Sequence, residues 1–154
     1  MSSLAEIILA EADVVSAFVL LLQEEQEALK SGNADALPAL IERKTVVTGK
    51  LAPFSNGRND ILTRAGFNTD RPGIEAWLTK YPNDNAVRHS WEKLQSLAAE
   101  ARELNRLNGE LIRLHMQSNA HALEALLSSA NRQDLYSADG QSSTGTTRRI
   151  IDSA

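Results

Sequence analysis

The stretch that decides the fold is Val87–Leu127, VRHSWEKLQSLAAEARELNRLNGELIRLHMQSNAHALEALL. Its apolar side chains recur three and four residues apart, the period of one face of an α-helix. They are Trp91, Leu94, Leu97, Ala98, Ala101, Leu104, Leu111, Ile112, Ala122, Leu123 and Leu126. At 1.5 Å per residue, such a helix is about 60 Å long. Because its apolar face needs other helices packed along it, the stretch predicts an all-α bundle.

The dipeptide Asn108-Gly109 lies inside this stretch and is typical of a tight turn. A turn there would put the later apolar residues out of phase, whereas Leu111 and Ile112 stay on the face set by Leu94. We therefore predict one continuous helix over residues 84–130, in which Gly109 lowers helix stability by about 1 kcal/mol.

Four polar residues share the apolar face of this helix: Asn105, Asn108, His115 and Asn119. Buried amides need hydrogen-bond partners. Two interpretations stay open. The four residues bond across the interface between helices and fix its register, as polar residues do in coiled coils, or some of them contact a bound partner chain.

Two further long helices are predicted, over residues 4–30 and 35–66. The first ends where Gly32 supplies a left-handed cap. Asp35 is the expected N-cap of the second, with Pro38 in its first turn.

Within the second helix, Pro53 and Gly57 keep the apolar phase, which predicts a kink rather than a break. Lys44 and Arg58 fall on its apolar face. Glu25 is the candidate partner of Lys44; in the alternative, both basic side chains extend along the interface to solvent.

The predicted fold is an elongated antiparallel bundle of these three long helices. A connector carries a short helix near residues 73–80, and one of Asn83, Asp84 and Asn85 caps the last long helix. Residues 1–130 form the bundle domain. Residues 131–154 are rich in Ser, Thr and Gly, so we expect a disordered, flexible tail.

Composition excludes several classes of function. The 154 residues carry a net charge of −4 and no cysteine. They offer no basic stripe for nucleic acid, no disulfide and no thiolate metal site. No apolar run approaches the 20 or so residues that span a bilayer, and acidic residues near the N-terminus argue against a secretory signal. We expect a cytoplasmic protein.

We find no catalytic or metal-binding motif. Glu-x-x-His, His-Glu-x-x-His, phosphate-binding loops and Gly-x-Ser-x-Gly are all absent. We therefore expect a protein that is not an enzyme and that needs no cofactor or metal. Leu107, Leu114, Met116, Leu123 and Leu127 widen the apolar arc toward the end of the last helix. Such an arc fits either a groove for a partner's amphipathic helix or a dimer contact.

Three segments carry a resemblance to a known family: LLQEEQEALKSGNADALPALIERK, EARELNRLNGELI and DLYSADGQ. In this order, in an acidic chain of this length, they resemble the FlgN family of flagellar export chaperones. The resemblance implies a cytoplasmic, non-enzymatic chaperone. Its clients are the C-terminal amphipathic helices of the hook-associated proteins FlgK and FlgL, which it protects from premature assembly and delivers to the type III export apparatus.

The resemblance also implies positions for the site. Client contacts map to Leu123, Leu126, Leu127 and Leu135, and docking on the export-gate protein FlhA maps to Tyr136. The protein would be a monomer or weak dimer, reaching the membrane only through the export apparatus. The alternative is a structural coiled-coil protein that pairs with its own copy and has no exported client.

Overall fold

A computed structural model describes the backbone of residues 3–137 and the side chains of residues 3–130. Every regular element in the described range is helical, which confirms the predicted all-α fold. The helices are α1 (Leu4–Ser31), α2 (Leu37–Gly49), α3 (Leu51–Arg64), α4 (Asp70–Lys80) and α5 (Asn85–Ser137), with a 3-10 turn at Ala34–Ala36. The chain divides into two units, Met1–Leu111 and Ile112–Ala154.

Both ends of α1 are capped by their own sequence. Ser3 Oγ accepts a hydrogen bond of 3.1 Å from the Glu6 amide, and Glu6 Oε2 accepts one of 3.3 Å from the Ser3 amide. At the other end Gly32 has φ 72°, in the left-handed region that glycine adopts without strain. The predicted first helix is confirmed.

The predicted second helix consists of α2 and α3, separated only by Lys50. Lys50 keeps right-handed helical angles, φ −82° and ψ −14°. Pro53 explains the interruption, because its ring has no N–H and would collide with the carbonyl of Gly49 in a regular helix. Pro38 lies in the first turn of α2 as predicted.

The prediction for Asp35 is wrong. It belongs to the 3-10 turn, and α2 begins at Leu37 with no side-chain cap. The 3-10 turn already leads the backbone into the helix, so Asp35 stands too early to reach the first free amides of α2.

In the first unit, α2 and α3 run antiparallel to α1, while α5 runs parallel to it. Lys44 of α2 contacts Glu25, and Arg58 of α3 contacts Glu11 further back along α1. On α5, Lys93 contacts Asp13 and the later residue Asn108 contacts Leu22. The helices of the first unit therefore form an up-down-up bundle. In it, α1 contacts both the descending pair α2 and α3 and the ascending helix α5.

The main core joins α1, α3, α4 and α5. Its buried members are Leu4, Ile8, Ala12, Val15, Val19, Leu22, Leu62, Ile74, Val87, Leu94 and Ala101. A smaller cluster of Leu21, Ala28 and Leu40 joins α1 to α2. Only one residue of α2 is fully buried, so α2 leaves much of its surface to solvent.

The connector helix α4 is confirmed and begins at Asp70, slightly earlier than expected. Its packing against the preceding loop requires Gly73, because a Cβ there would overlap the backbone carbonyl oxygen of Asn68. Asp84 links the connector to α5: its Oδ2 accepts a 3.0 Å hydrogen bond from Trp77 Nε1, and its Oδ1 accepts one of 3.2 Å from the Val87 amide. Asp84 is thus the N-cap of α5.

The last helix is continuous through Asn108-Gly109, as predicted, and runs on to Ser137 rather than ending at 130. The predicted tail therefore starts, at Asn131, within helical backbone. Its remaining residues, 138–154, lie outside the described residues. Within the described residues, no helix has the length and apolar content needed to cross a bilayer.

Candidate partner-binding surface

The two most exposed large apolar side chains of the described residues, Leu126 and Met116, lie on α5 in the second unit. Ile112, Met116, Leu123 and Leu126 are 41%, 66%, 59% and 68% exposed, and Leu127 is partly buried. At about 100° of rotation per residue, these five positions fall within an arc of about 100° on one side of the helix. We call this surface the α5 stripe.

No other element of the second unit's described part packs on the stripe, because α5 is the only element there. A helix with a wide apolar face normally buries it against a neighbour. Large apolar side chains exposed side by side mark an interaction surface, whereas single exposed ones need no explanation. The stripe is therefore the strongest candidate for a partner-binding site in this unit.

The sequence-predicted client contacts fall on or beyond this surface. Leu123, Leu126 and Leu127 are members of the stripe. The backbone of Leu135 and Tyr136 belongs to the last turns of α5, and their side chains lie outside the described part of the chain.

The four polar residues predicted to share the apolar face are not equivalent. Asn108 is 1% exposed, and its Nδ2 donates hydrogen bonds of 2.9 Å to the Leu22 carbonyl oxygen and 2.9 Å to Glu25 Oε1. Asn105, His115 and Asn119 are exposed. His115 and Asn119 belong to the second unit, whose described part consists of residues of α5. In the first unit, Ala101 and Asn108 are buried while Asn105 is exposed. For these three residues, contact with a partner chain stays a prediction.

Lys44 of α2 and Arg58 of α3 each pair with a carboxylate of α1. Lys44 Nζ lies 3.0 Å from Glu25 Oε2, which confirms the predicted partner. Arg58 does not extend to solvent: it is 6% exposed, its Nη1 lies 3.2 Å from Glu11 Oε2, and its Cζ lies 5.3 Å from the centroid of the Trp91 ring. Removing Glu11 from water raises the pKa of its carboxyl; Arg58 opposes this shift and Asp70 adds to it.

A sequence signal for the Arg58 pair existed. Glu11 and Glu25 are 14 residues apart on α1, and Lys44 and Arg58 are 14 apart on the returning arm. In an antiparallel pair of helices, equal spacing brings both acid–base pairs into contact at once. These contacts hold the helices in register, and Glu11 and Arg58 also line a depression of about 640 Å³ in the first unit. Among the described residues, no three His, Asp or Glu side chains are arranged to hold a metal ion.

Comparison with known proteins gives a consistent result. The family described as FlgN protein matches residues 1–144. A flagella synthesis protein FlgN from Yersinia enterocolitica is 27% identical over 132 residues, 84% of this chain and 82% of that protein. One from Proteus mirabilis is 29% identical over 123 residues, 79% of this chain and 77% of that protein. No solved structure matches the chain.

Proposed function

Since the chain belongs to the FlgN family, we propose that it is a flagellar export chaperone for the C-terminal amphipathic helices of the hook-associated proteins FlgK and FlgL. It binds these helices along the α5 stripe, keeps them from assembling early and delivers them to the export-gate protein FlhA. It acts in the cytoplasm and without catalysis.

The observation that carries the proposal is the exposure of the α5 stripe. An amphipathic helix docks by laying apolar residues at i, i+3, i+4 and i+7 against a matching apolar face. Met116, Leu123 and Leu126, each more than half exposed, stand seven and three residues apart and so share one face of α5. A client helix destined for a filament exposes apolar surface while monomeric, so covering it prevents premature assembly. Ordering the client on binding offsets a few kcal/mol of the contact energy, which keeps the complex releasable.

The client site is tested with a variant that keeps the helix but removes the stripe. Leu123→Gln combined with Leu126→Gln retains residues that favour helix, so far-UV circular dichroism should not change. We expect binding of a FlgK C-terminal peptide to weaken at least tenfold. The matched control is Leu114→Gln: Leu114 is 55% exposed on the same helix but lies on the other side from the stripe. Equal peptide affinity in the double variant and the wild type would contradict this site.

Gate docking is tested separately at Tyr136. Tyr136→Ala should bind client normally and fail to bind the FlhA cytoplasmic domain or to support client export, whereas Tyr136→Phe tests the hydroxyl alone. Export by the alanine variant at the wild-type level would remove the docking role.

In the alternative, a coiled-coil protein pairs with its own copy and buries Leu107 and Leu114. Light scattering over a range of concentrations distinguishes it. A stable dimer that dissociates in the Leu114→Gln variant, with no client affinity in either protein, would favour the alternative.

A further inference from the structure

The first unit has an apolar surface that the proposed function does not use. It is a groove of about 860 Å³ between α1 and α2, lined by Leu20, Leu21 and Glu24 of α1 and by Ile41, Arg43 and Val46 of α2. We call it the α1–α2 groove. We propose that it is a second docking site, which binds an amphipathic helix of a partner protein whose apolar face is flanked by basic residues.

The groove has apolar anchors on both walls. Leu20 of α1 and Ile41 and Val46 of α2 are 58%, 57% and 61% exposed. Leu21 is buried and Val47 partly buried beneath them. Three large aliphatic side chains exposed around one concave surface differ from the scattered exposed leucines of an ordinary surface. Such a surface gains from burial against another apolar face.

The length of the groove fits a helix. It continues into a neighbouring depression of about 740 Å³, which shares Leu20, Glu24 and Arg43 and reaches Ser31 and Asn33. The α1 wall from Ala17 to Ser31 is about 21 Å long at 1.5 Å per residue, or about four turns. A partner helix of about 14 residues would cover it, with two or three apolar residues seated on the anchors.

The charges along the groove select the partner. Its acidic residues are Glu24, Glu27 and Glu42, and Arg43 is the basic residue in the lining of the two depressions. Arg43 is already paired, with its Nη1 2.8 Å from Glu24 Oε2. The surplus of acidic groups therefore attracts a helix with Lys or Arg beside its apolar face and repels one with Asp or Glu there. Because these groups are exposed, the attraction should weaken as salt is added.

The test uses the full chain and two fluorescein-labelled 14-residue peptides, one amphipathic Leu/Lys helix and its Leu/Glu counterpart, measured by fluorescence anisotropy. We expect the wild type to bind the Leu/Lys peptide at least tenfold more tightly than the Leu/Glu peptide. Ile41→Gln combined with Val46→Gln should lower affinity for the Leu/Lys peptide at least tenfold. Thermal unfolding should change little, because both side chains are exposed.

Two controls separate this site from other surfaces. Leu9→Gln changes a leucine of α1 that is 44% exposed and lines neither depression, and it should bind like the wild type. The Leu123/Leu126 variant should also bind like the wild type, since the groove lies entirely in the first unit. Failure of the client experiment therefore leaves this proposal standing, and the reverse also holds.

Three results of the peptide measurements would overturn the proposal: wild-type peptide affinity in the Ile41/Val46 variant, loss of affinity in the Leu123/Leu126 variant instead, or equal affinity for both peptides. A dimer that dissociates only in the Ile41/Val46 variant would assign the groove to a second copy of the chain and overturn it as well.

Discussion

The side-chain amide of Asn108 donates a hydrogen bond of 2.9 Å to Oε1 of Glu25, a carboxylate that also accepts from Lys44 Nζ at 3.3 Å and 3.0 Å. One buried carboxylate thus joins α1, α2 and α5. Glu25 is 4% exposed and Asn108 is 1% exposed, so neither side chain can exchange its partner for water. This contact sets the axial position of α5 on α1, and it leads to the first two predictions.

Asn108→Ala should lower the free energy of unfolding by about 2 kcal/mol. The substitution removes the inter-helix donor to the Leu22 carbonyl and one of the two donors to the Glu25 carboxylate, which keeps Lys44, and it opens a small cavity. The measurement is urea unfolding followed by circular dichroism at 222 nm. Asn105→Ala, at an exposed asparagine one turn earlier, should stay within about 0.5 kcal/mol of the wild type. Equal losses in the two variants would contradict the role of Asn108.

Lys44→Met should destabilise the protein by about 2 kcal/mol, because it leaves the buried Glu25 carboxylate without its cation. Its neighbour provides the control. Arg43→Met breaks the Glu24 pair, whose side chains are 56% and 49% exposed, and should lower the free energy of unfolding by less than about 1 kcal/mol. If the exposed pair proved the more costly to break, the burial argument would be wrong.

Two glycines should respond to alanine in opposite directions. At Gly73 the added Cβ overlaps the Asn68 carbonyl oxygen, so Gly73→Ala should lower the free energy of unfolding by about 3 kcal/mol. At Gly109 no atom outside the local helix backbone lies within 4 Å of the new Cβ. Gly109→Ala should therefore raise the free energy of unfolding by up to about 1 kcal/mol, because alanine has the higher helix propensity. Chemical unfolding of both variants tests this, and a stabilised Gly73→Ala protein would refute the close approach.

The Glu11 carboxyl should titrate above its ordinary value of 4.5, because burial raises its pKa more than Arg58 lowers it. The folded protein then binds this proton more tightly than the unfolded chain does. Its contribution to stability is therefore greatest below 4.5 and declines as pH rises through the folded pKa. Carbon-13 NMR of the Glu11 carboxyl measures the pKa directly.

The matching stability measurement compares wild type with Glu11→Gln by urea unfolding between pH 4 and pH 7. The free energy of unfolding of the wild type minus that of the variant should fall with rising pH. A difference that grows with pH would mean that Arg58, rather than burial, dominates the environment of Glu11.

Apolar spacing predicted the helices well because it is local information. The continuity of α5 through Asn108-Gly109 followed from the phase of Leu111 and Ile112 alone. Apolar spacing could not predict that the helix expected over residues 35–66 would be interrupted at Lys50. A proline perturbs the backbone three to four residues before it, and the size of that perturbation depends on packing. The preference of aspartate for N-cap positions also gave a wrong prediction for Asp35, because the chain forms a 3-10 turn there before α2 begins.

The sequence predicted some features of the candidate site and could not predict others. The sequence identified Leu123, Leu126 and Leu127 as apolar residues of one helix face, together with the Glu25–Lys44 pair. It did not separate Asn108 from Asn105, His115 and Asn119, because all four have the same helical phase. Burial depends on whether another helix lies opposite, and phase carries no information about that.

What the sequence by itself determined, then, is the all-α class, the apolar faces and most helix boundaries to within a few residues, because these depend on neighbours within a few turns. The exceptions are the interruption at Lys50 and the end of α5 at Ser137. The tertiary structure alone decided which charged groups are buried, as with Arg58 against Glu11 and Trp91, and which apolar residues remain open, as with Leu20, Ile41 and Val46. Those outcomes depend on contacts between residues far apart in the chain, where side chains compete for the same limited space and for the same hydrogen-bond partners.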